Sequence, residues 1–202
     1  MRMKTILPFK PVISRLFCIA GITVAGSSLA EAAGVELTYP GAPLDENGLL
    51  FPQGSLSDNT VSITGGSIPG NAYGAKTTDG DTIRNRISMT GGSVLHLLGA
   101  YSATGTVEYN SVILGGGTVA RNVYGGESGS GNAQYNSITM TGGSAQWLQG
   151  AYSNSGNVTG NEVLISGGTL SGGVNGGQTA GGDAISNSVR PVSYTHLRAH
   201  ET

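Results

Sequence analysis

Asn110–Tyr135 reads NSVILGGGTVARNVYGGESGSGNAQY, and the next stretch, Asn136–Gly160, reads NSITMTGGSAQWLQGAYSNSGNVTG. Each stretch begins with an asparagine, alternates polar and apolar residues, and then reaches a Gly-Gly pair. Period-two alternation is typical of a β-strand with one buried face. Glycine accepts positive φ and close backbone packing, so the pair predicts a corner. The two stretches therefore predict a repeated unit of a strand followed by a corner.

The same unit recurs along most of the 202-residue chain at intervals of 25 or 26 residues. Complete units begin at Asn59, Asn85, Asn110, Asn136 and Asn161, and a partial unit begins at Asn187. The apolar pairs that follow are Val61/Ile63, Ile87/Met89, Val112/Leu114, Ile138/Met140 and Val163/Ile165. The second glycines of the corners are Gly66, Gly92, Gly117, Gly143 and Gly168. Alternate units resemble each other most, which indicates duplication of a two-unit segment.

One such unit cannot bury its own apolar residues, but stacked units can. The repeat therefore predicts an all-β fold, a parallel β-helix (β-solenoid) of about five rungs of 25–26 residues, with two or three strands per turn. We expect one inward-facing column of Val61, Ile87, Val112, Ile138 and Val163. Stacked amides form hydrogen-bonded ladders, and the asparagines are expected to do so along a corner. Two alternatives are a disordered repeat and a series of antiparallel hairpins.

The N-terminal region differs from the repeat. Residues 1–33 have the pattern of a cleavable signal peptide, with a basic start, the apolar run Leu16–Gly26 and a cleavage site between Ala30 and Ala33. The run is shorter than the ~20 residues of a membrane-spanning helix. The mature chain would lack Cys18, the single cysteine, and would be exported. A cytosolic chain with an apolar N-terminal helix is the alternative. Residues 34–58, rich in proline, are expected to form an N-terminal cap or lead-in strand.

The C-terminal end also departs from the repeat, and the solenoid is expected to span residues 59–190. Val192–Thr202 resembles, at every position, the translation of a transposase-based sequencing adapter. Residues 191–202 are therefore interpreted as an artefact, and the natural protein is expected to continue beyond Arg190. His196 and His200 have the spacing of metal ligands on a helix, but adapter sequence has no biochemical meaning.

Groups that support catalysis are scarce in the repeat. The formal net charge of −2 excludes a strongly basic nucleic-acid binder, and a single cysteine excludes an internal disulfide or a multi-cysteine zinc site. No histidine base accompanies the many serines and threonines, so no nucleophile system is predicted. The loop aspartates are interpreted as residues of solvated turns, and a weak cation site is the alternative. They are Asp79, Asp81 and Asp183. The sequence predicts no enzyme activity, no catalytic, cofactor-binding or metal-binding residues, and no cofactor.

Aromatic side chains are the candidates for surface contact. His96 and Trp147 occupy the same place in alternate units and are expected to face outward. An exposed tryptophan stacks on sugars or anchors a partner, although plain packing over the second strand is the alternative. Two sets of tyrosines recur, and because stacked aromatics stabilise solenoid faces we expect them to be structural first and contact residues second. The sets are Tyr73 with Tyr124, and Tyr101 with Tyr152.

The motifs Asn-x-Val-x-Ile-x-Gly-Gly, as at Asn161–Gly168, and Asn-Val-Tyr-Gly-Gly, as at Asn122–Gly126, resemble repeats in passenger regions of bacterial autotransporter (type V secretion) surface proteins. The resemblance covers Asn59–Arg190, and Gly173–Gly177 departs from the tyrosine form. It implies a glycine-rich repeat passenger domain, secreted and displayed on the cell surface of a Gram-negative bacterium or released outside the cell. Anchoring in the outer membrane would use a C-terminal β-barrel that is missing here.

The signal pattern, the repeat and the shortage of catalytic groups together predict a non-catalytic surface passenger, an adhesin or structural stalk built on a β-solenoid. Its expected partners are a host-surface glycan or protein, with no nucleic acid, and self-association through strand edges is a further expectation. One alternative is a fragment of a secreted carbohydrate-active β-helix enzyme whose active site is missing. Another is a secreted matrix or self-associating protein.

Overall fold

The computed structural model describes residues 34–192, and within this range the regular structure is entirely β. A lead-in strand, β1, spans Glu36–Tyr39. Turn 1 contains β2 (Thr60–Ile63), β3 (Ser67–Ile68), β4 (Ala72–Tyr73), β5 (Lys76–Thr77) and β6 (Thr82–Ile83). Turn 2 contains β7 (Arg86–Met89), β8 (Ser93–Val94), β9 (Leu97–Leu98), β10 (Tyr101–Ser102) and β11 (Val107–Glu108).

The later turns follow the same order. Turn 3 contains β12 (Ser111–Leu114), β13 (Thr118–Val119), β14 (Asn122–Tyr124), β15 (Glu127–Ser128) and β16 (Ala133–Gln134). Turn 4 contains β17 (Ser137–Ala145), β18 (Trp147–Gln149), β19 (Tyr152–Ser153) and β20 (Val158–Thr159). Turn 5 contains β21 (Glu162–Leu170), β22 (Val174–Asn175), β23 (Gln178–Thr179) and β24 (Ala184–Ile185), and β25 (Ser188–Pro191) starts the sixth.

Each strand pairs in parallel with the equivalent strand of the turns before and after it. The first strands form the column β1-β2-β7-β12-β17-β21-β25, and β3, β8 and β13 join the same sheet through β17. The three other columns are β4-β9-β14-β18-β22, β5-β10-β15-β19-β23 and β6-β11-β16-β20-β24. The molecule is therefore a β-solenoid of about six turns. The predicted parallel β-helix is confirmed, and the parallel pairing contradicts the disordered and antiparallel alternatives.

The expectation of two or three strands per turn is wrong, because a full turn has five strand segments or four. Most segments have only two residues, and many of the bends between them contain glycine. A Cβ on Gly74 would lie 2.3 Å from the carbonyl oxygen of Gly99 in the next turn, so only glycine fits this bend. In turns 4 and 5 the first two segments merge into the nine-residue strands β17 and β21, whose pairing is irregular after Met140.

The core lies inside the turns. Successive turns place Val61, Ile87, Val112, Ile138 and Val163 opposite one another as Cα partners. Each of these five side chains is fully buried, which confirms the predicted inward-facing column. Leu97, Val123 and Leu148, which lie in β9, β14 and β18, belong to the same cluster. Alternation between buried and outward positions thus fixes which side chains the solenoid presents to solvent.

The segment 34–58 forms an irregular turn over turn 1. β1 pairs in parallel with β2, and isolated bridges join Leu50 to Ala72 and Ser57 to Ile83. The interpreted signal peptide and residues 193–202, which include most of the adapter-like tail, lie outside the described residues. Pro191 ends β25 opposite Ile165, whose carbonyl accepts the backbone N–H of Val192 at 2.7 Å.

None of residues 34–192 belongs to a helix long and apolar enough to cross a membrane.

Candidate binding surface

The repeated asparagines form a continuous internal ladder. The Oδ1 atom of each asparagine accepts both the backbone N–H and the side-chain Nδ2 of the asparagine one turn earlier, at 2.7–3.1 Å. The ladder begins with the backbone N–H of Val35, which donates to Asn59 Oδ1. Its members are Asn59, Asn85, Asn110, Asn136, Asn161 and Asn187. All but Asn187 are at most 1% exposed, so they hold the corner and are not available to a ligand.

The corner glycines are also structural. The second glycine of each Gly-Gly pair has a φ between +75° and +95°, a region that residues with a Cβ rarely adopt. These glycines are Gly66, Gly92, Gly117, Gly143 and Gly168. Their repetition lets the chain turn at the same place in every unit, which keeps the outward columns aligned.

The tyrosines do not stack within their own sets. At each of these two positions tyrosine recurs only in every second turn, so another residue separates the members of each set. The two columns run Tyr73–Leu98–Tyr124 and Tyr101–Glu127–Tyr152. The two sets meet where Tyr73 packs edge-on against Tyr101, with ring centroids 6.3 Å apart. Tyr73 is 7% exposed, and burial raises the pKa of its hydroxyl, so its role is packing.

His96 and Trp147 lie in one outward column, two turns apart, with Asn122 between them. The half-buried His96 ring stacks on Tyr124 at 6.3 Å, and its Nδ1 accepts the backbone N–H of Asn122 at 3.3 Å. Burial, together with the charge of Arg121, lowers the pKa of His96. Trp147 is 42% exposed, so of the two only Trp147 offers a large open surface.

Trp147 borders a shallow, open groove of about 370 Å³. The other lining residues all carry side-chain amides and come from three consecutive turns: Asn122, Gln146, Gln149, Asn175 and Gln178. Gln149 Nε2 donates to Gln178 Oε1 at 2.7 Å, and Asn175 Nδ2 donates to the same oxygen at 3.4 Å. The sequence analysis identified Trp147 but missed these amides, which only the stacking of turns brings together.

A second exposed feature, also missed, is the column of residues that precede the ladder asparagines. These residues have a φ of 54–58° wherever they are not glycine: Asp58, Arg84, Tyr109, Tyr135 and Ser186. The rings of Tyr109 and Tyr135 stack at 5.2 Å and are 52% and 47% exposed. Aligning the units at a period of 25 or 26 residues would have revealed both tyrosines, since each directly precedes an asparagine of the ladder.

Glu127 is a further residue that the sequence analysis missed. Glu127 lies between Tyr101 and Tyr152 in the same outward column. Its partial burial raises the pKa of its carboxyl. Aligning the repeat units would have shown a glutamate at the position where the units before and after it carry tyrosine.

The aspartates of the loops are exposed and serve loop hydrogen bonds. The backbone N–H of Thr106 donates to Asp81 Oδ1 at 2.7 Å, and Thr104 Oγ1 donates to Asp79 Oδ1 at 3.3 Å. Asp183 is also exposed. Within residues 34–192, no three histidine, cysteine, aspartate or glutamate residues are grouped so that they could hold a metal ion.

Comparisons with protein-family models, with curated proteins and with solved structures found no match to this chain.

Proposed function

We propose that residues 59–190 are part of the passenger of an exported surface protein of the autotransporter type, acting as a non-catalytic adhesin or structural stalk. The observation that carries the proposal is the uninterrupted ladder from Asn59 to Asn187, in which each turn satisfies the amide of the turn before it. A fold that grows by adding identical turns makes a rod, about 4.8 Å longer per turn.

The outward side chains support a role in contact. The columns of the first sheet present mostly hydroxyls to solvent, and some of these pair between turns, as Ser93 does with Ser67 at 3.1 Å. Hydroxyls and amides are suited to recognition through hydrogen bonds, whereas hydrolysis of a glycosidic bond generally uses two carboxyl groups that flank the bond. This chemistry favours binding over the alternative of a carbohydrate-active enzyme.

The proposal is tested by joining the full chain, through Thr202, to an autotransporter β-barrel and expressing it in a Gram-negative host. We expect cleavage between Ala30 and Ala33, which mass spectrometry of the N-terminus detects. We also expect the repeat to be degraded by protease added to intact cells. The control lacks Leu16–Gly26 and should remain in the cytoplasm, protected from the protease. A full fusion that keeps its N-terminus and stays protected would contradict export and display.

A further inference from the structure

We propose that the groove beside Trp147 is a binding subsite for a neutral oligosaccharide, in which the indole stacks on a sugar ring and the surrounding amides bind its hydroxyls. The inference rests on the proposed function in one respect: it names the ligand class that a displayed passenger of this kind would take. The groove spans turns 3 to 5, with Asn122 at one end and Asn175 and Gln178 at the other.

The position of the indole carries the first step. A Cβ on Gly172 would lie 2.5 Å from Trp147 Nε1, and a Cβ on Gly173 would lie 2.4 Å from Cζ3. The ring therefore lies against a stretch of backbone without side chains. Gly173 occupies the next position in the outward column of His96, Asn122 and Trp147. The other turns carry a side chain at this position, and Gly173 does not. Two consecutive glycines thus make room for the ring and support it from below, which restricts its orientation before any ligand arrives.

The exposure of the ring carries the second step. In the adjoining outward column of the same sheet, Tyr73 is 7% exposed and Leu98 is 2% exposed, so side chains on this sheet can be well covered. Trp147 instead keeps 42% of its surface open. Packing of the solenoid does not account for this open aromatic surface. Stacking on an apolar face of a sugar would remove the indole from water while leaving the polar edge of the groove free.

The amides define the ligand. An amide side chain both donates and accepts hydrogen bonds, as a sugar hydroxyl does. Gln178 is held in place by Gln149 at 2.7 Å and by Asn175 at 3.4 Å, so the polar side of the groove is ordered in advance. All the lining residues are uncharged. A phosphate, a carboxylate or an ammonium ion would lose water here without gaining an opposite charge from any lining residue, and the lining therefore favours a neutral polyhydroxylated ligand.

The chain provides its own reporter for this site, because Trp147 is its single tryptophan. The experiment titrates the full chain with neutral hexasaccharides built from glucose, galactose, mannose and N-acetylglucosamine, and with oligogalacturonate as the anionic comparison. Far-ultraviolet circular dichroism first establishes that the sample has β-structure. We expect a saturable change in tryptophan fluorescence with at least one neutral hexasaccharide, and weaker binding or none with oligogalacturonate.

The variants separate the groove from the rest of the surface. Gln178→Ala retains the reporter and should raise the dissociation constant about tenfold, as expected for lost hydrogen bonds. Asn154→Ala removes an exposed amide from a loop outside the groove and should leave the dissociation constant unchanged. Trp147→Phe removes the reporter, so its weaker binding is measured by calorimetry.

Three results would overturn the proposal: a folded chain that responds to none of the neutral hexasaccharides, preferential binding of oligogalacturonate, or equal effects of Gln178→Ala and Asn154→Ala. A chain that is displayed on cells yet does not respond would refute the sugar subsite and leave the passenger proposal intact. A chain that binds sugar but stays in the cytoplasm would refute the passenger proposal and leave the sugar subsite intact.

Discussion

Asn136 and Asn161 are joined by two hydrogen bonds to a single oxygen: Asn161 Oδ1 accepts the backbone N–H of Asn136 at 2.8 Å and its side-chain Nδ2 at 3.1 Å. Asn136 Nδ2 also donates to the carbonyl oxygen of Val107 at 2.9 Å. One buried amide therefore binds its own turn to the turns on both sides, since Asn136 Oδ1 serves Asn110 in the same way. This contact stabilises the stacking that aligns every outward column.

Removing one amide from the ladder should weaken the whole solenoid. In Asn136→Ala the buried backbone N–H of Asn110 loses its acceptor, Asn136 Oδ1, and a buried donor left unsatisfied costs about 1–3 kcal/mol. We expect the free energy of unfolding, measured by urea denaturation, to fall by at least that amount. Asn154→Ala, at an exposed loop amide, should change it by no more than about 0.5 kcal/mol. Similar losses in the two variants would show that the ladder contributes little.

The inward and outward faces of a strand should respond differently to a charge. Val112 is fully buried, whereas its neighbour Ile113 points outward and is half-buried. Val112→Asp should cost several kcal/mol, on the order of the stability of a small domain, because an unpaired charge would be buried. Ile113→Asp should leave the chain folded. Thermal unfolding followed by circular dichroism measures both, and a greater loss in the Ile113 variant would reverse the assignment of the two faces.

Two adjacent glycines should differ in their tolerance of a methyl group. A Cβ on Gly116 would lie 2.4 Å from the carbonyl oxygen of Thr90, so Gly116→Ala requires the backbone to shift and should lower the melting temperature. A Cβ on Gly115 would have its nearest neighbour, Thr141 Oγ1, at 3.6 Å. Gly115→Ala should be neutral, or stabilising by about 0.4–1 kcal/mol, because alanine restricts the unfolded chain. If both variants melted alike, the close approach at Gly116 would not constrain this turn.

The carboxyl of Glu127 should make stability depend on pH. Burial raises its pKa above the ordinary value of 4.5. Between 4.5 and the raised value, the folded chain retains a proton that the unfolded chain has lost, so this group's contribution to stability falls as the pH rises. At neutral pH the charged form is penalised, and Glu127→Gln should raise the melting temperature there. At pH 4 the difference from the unmodified chain should be small.

The matched control for this pH effect is Glu46→Gln, which makes the same change in net charge at an exposed position. It should leave the melting temperature nearly unchanged at both pH values. A melting temperature that rises equally in the two variants at neutral pH would assign the effect to net charge and not to the burial of Glu127.

The repeat pattern did not predict how some of the outward side chains are arranged. The tyrosine sets were visible, yet their arrangement was not, because Leu98 and Glu127 stand between members of a set. The number of strands per turn was also mispredicted, since segments such as Ala72–Tyr73 are too short to show any periodicity. The interpreted signal peptide and the autotransporter resemblance remain predictions from the sequence.

The repeated pattern was sufficient to predict the inward column at Val112 and Ile138, the glycine corners and the asparagine ladder. Each of these depends on alternation within one strand or on a residue that recurs at one place in every unit. The groove beside Trp147 depends instead on Gln149 and Gln178, which are 29 positions apart in the chain and hydrogen-bonded in the fold. Only tertiary stacking decides such neighbours, because the hydrogen bonds between turns fix which residues of successive units lie side by side.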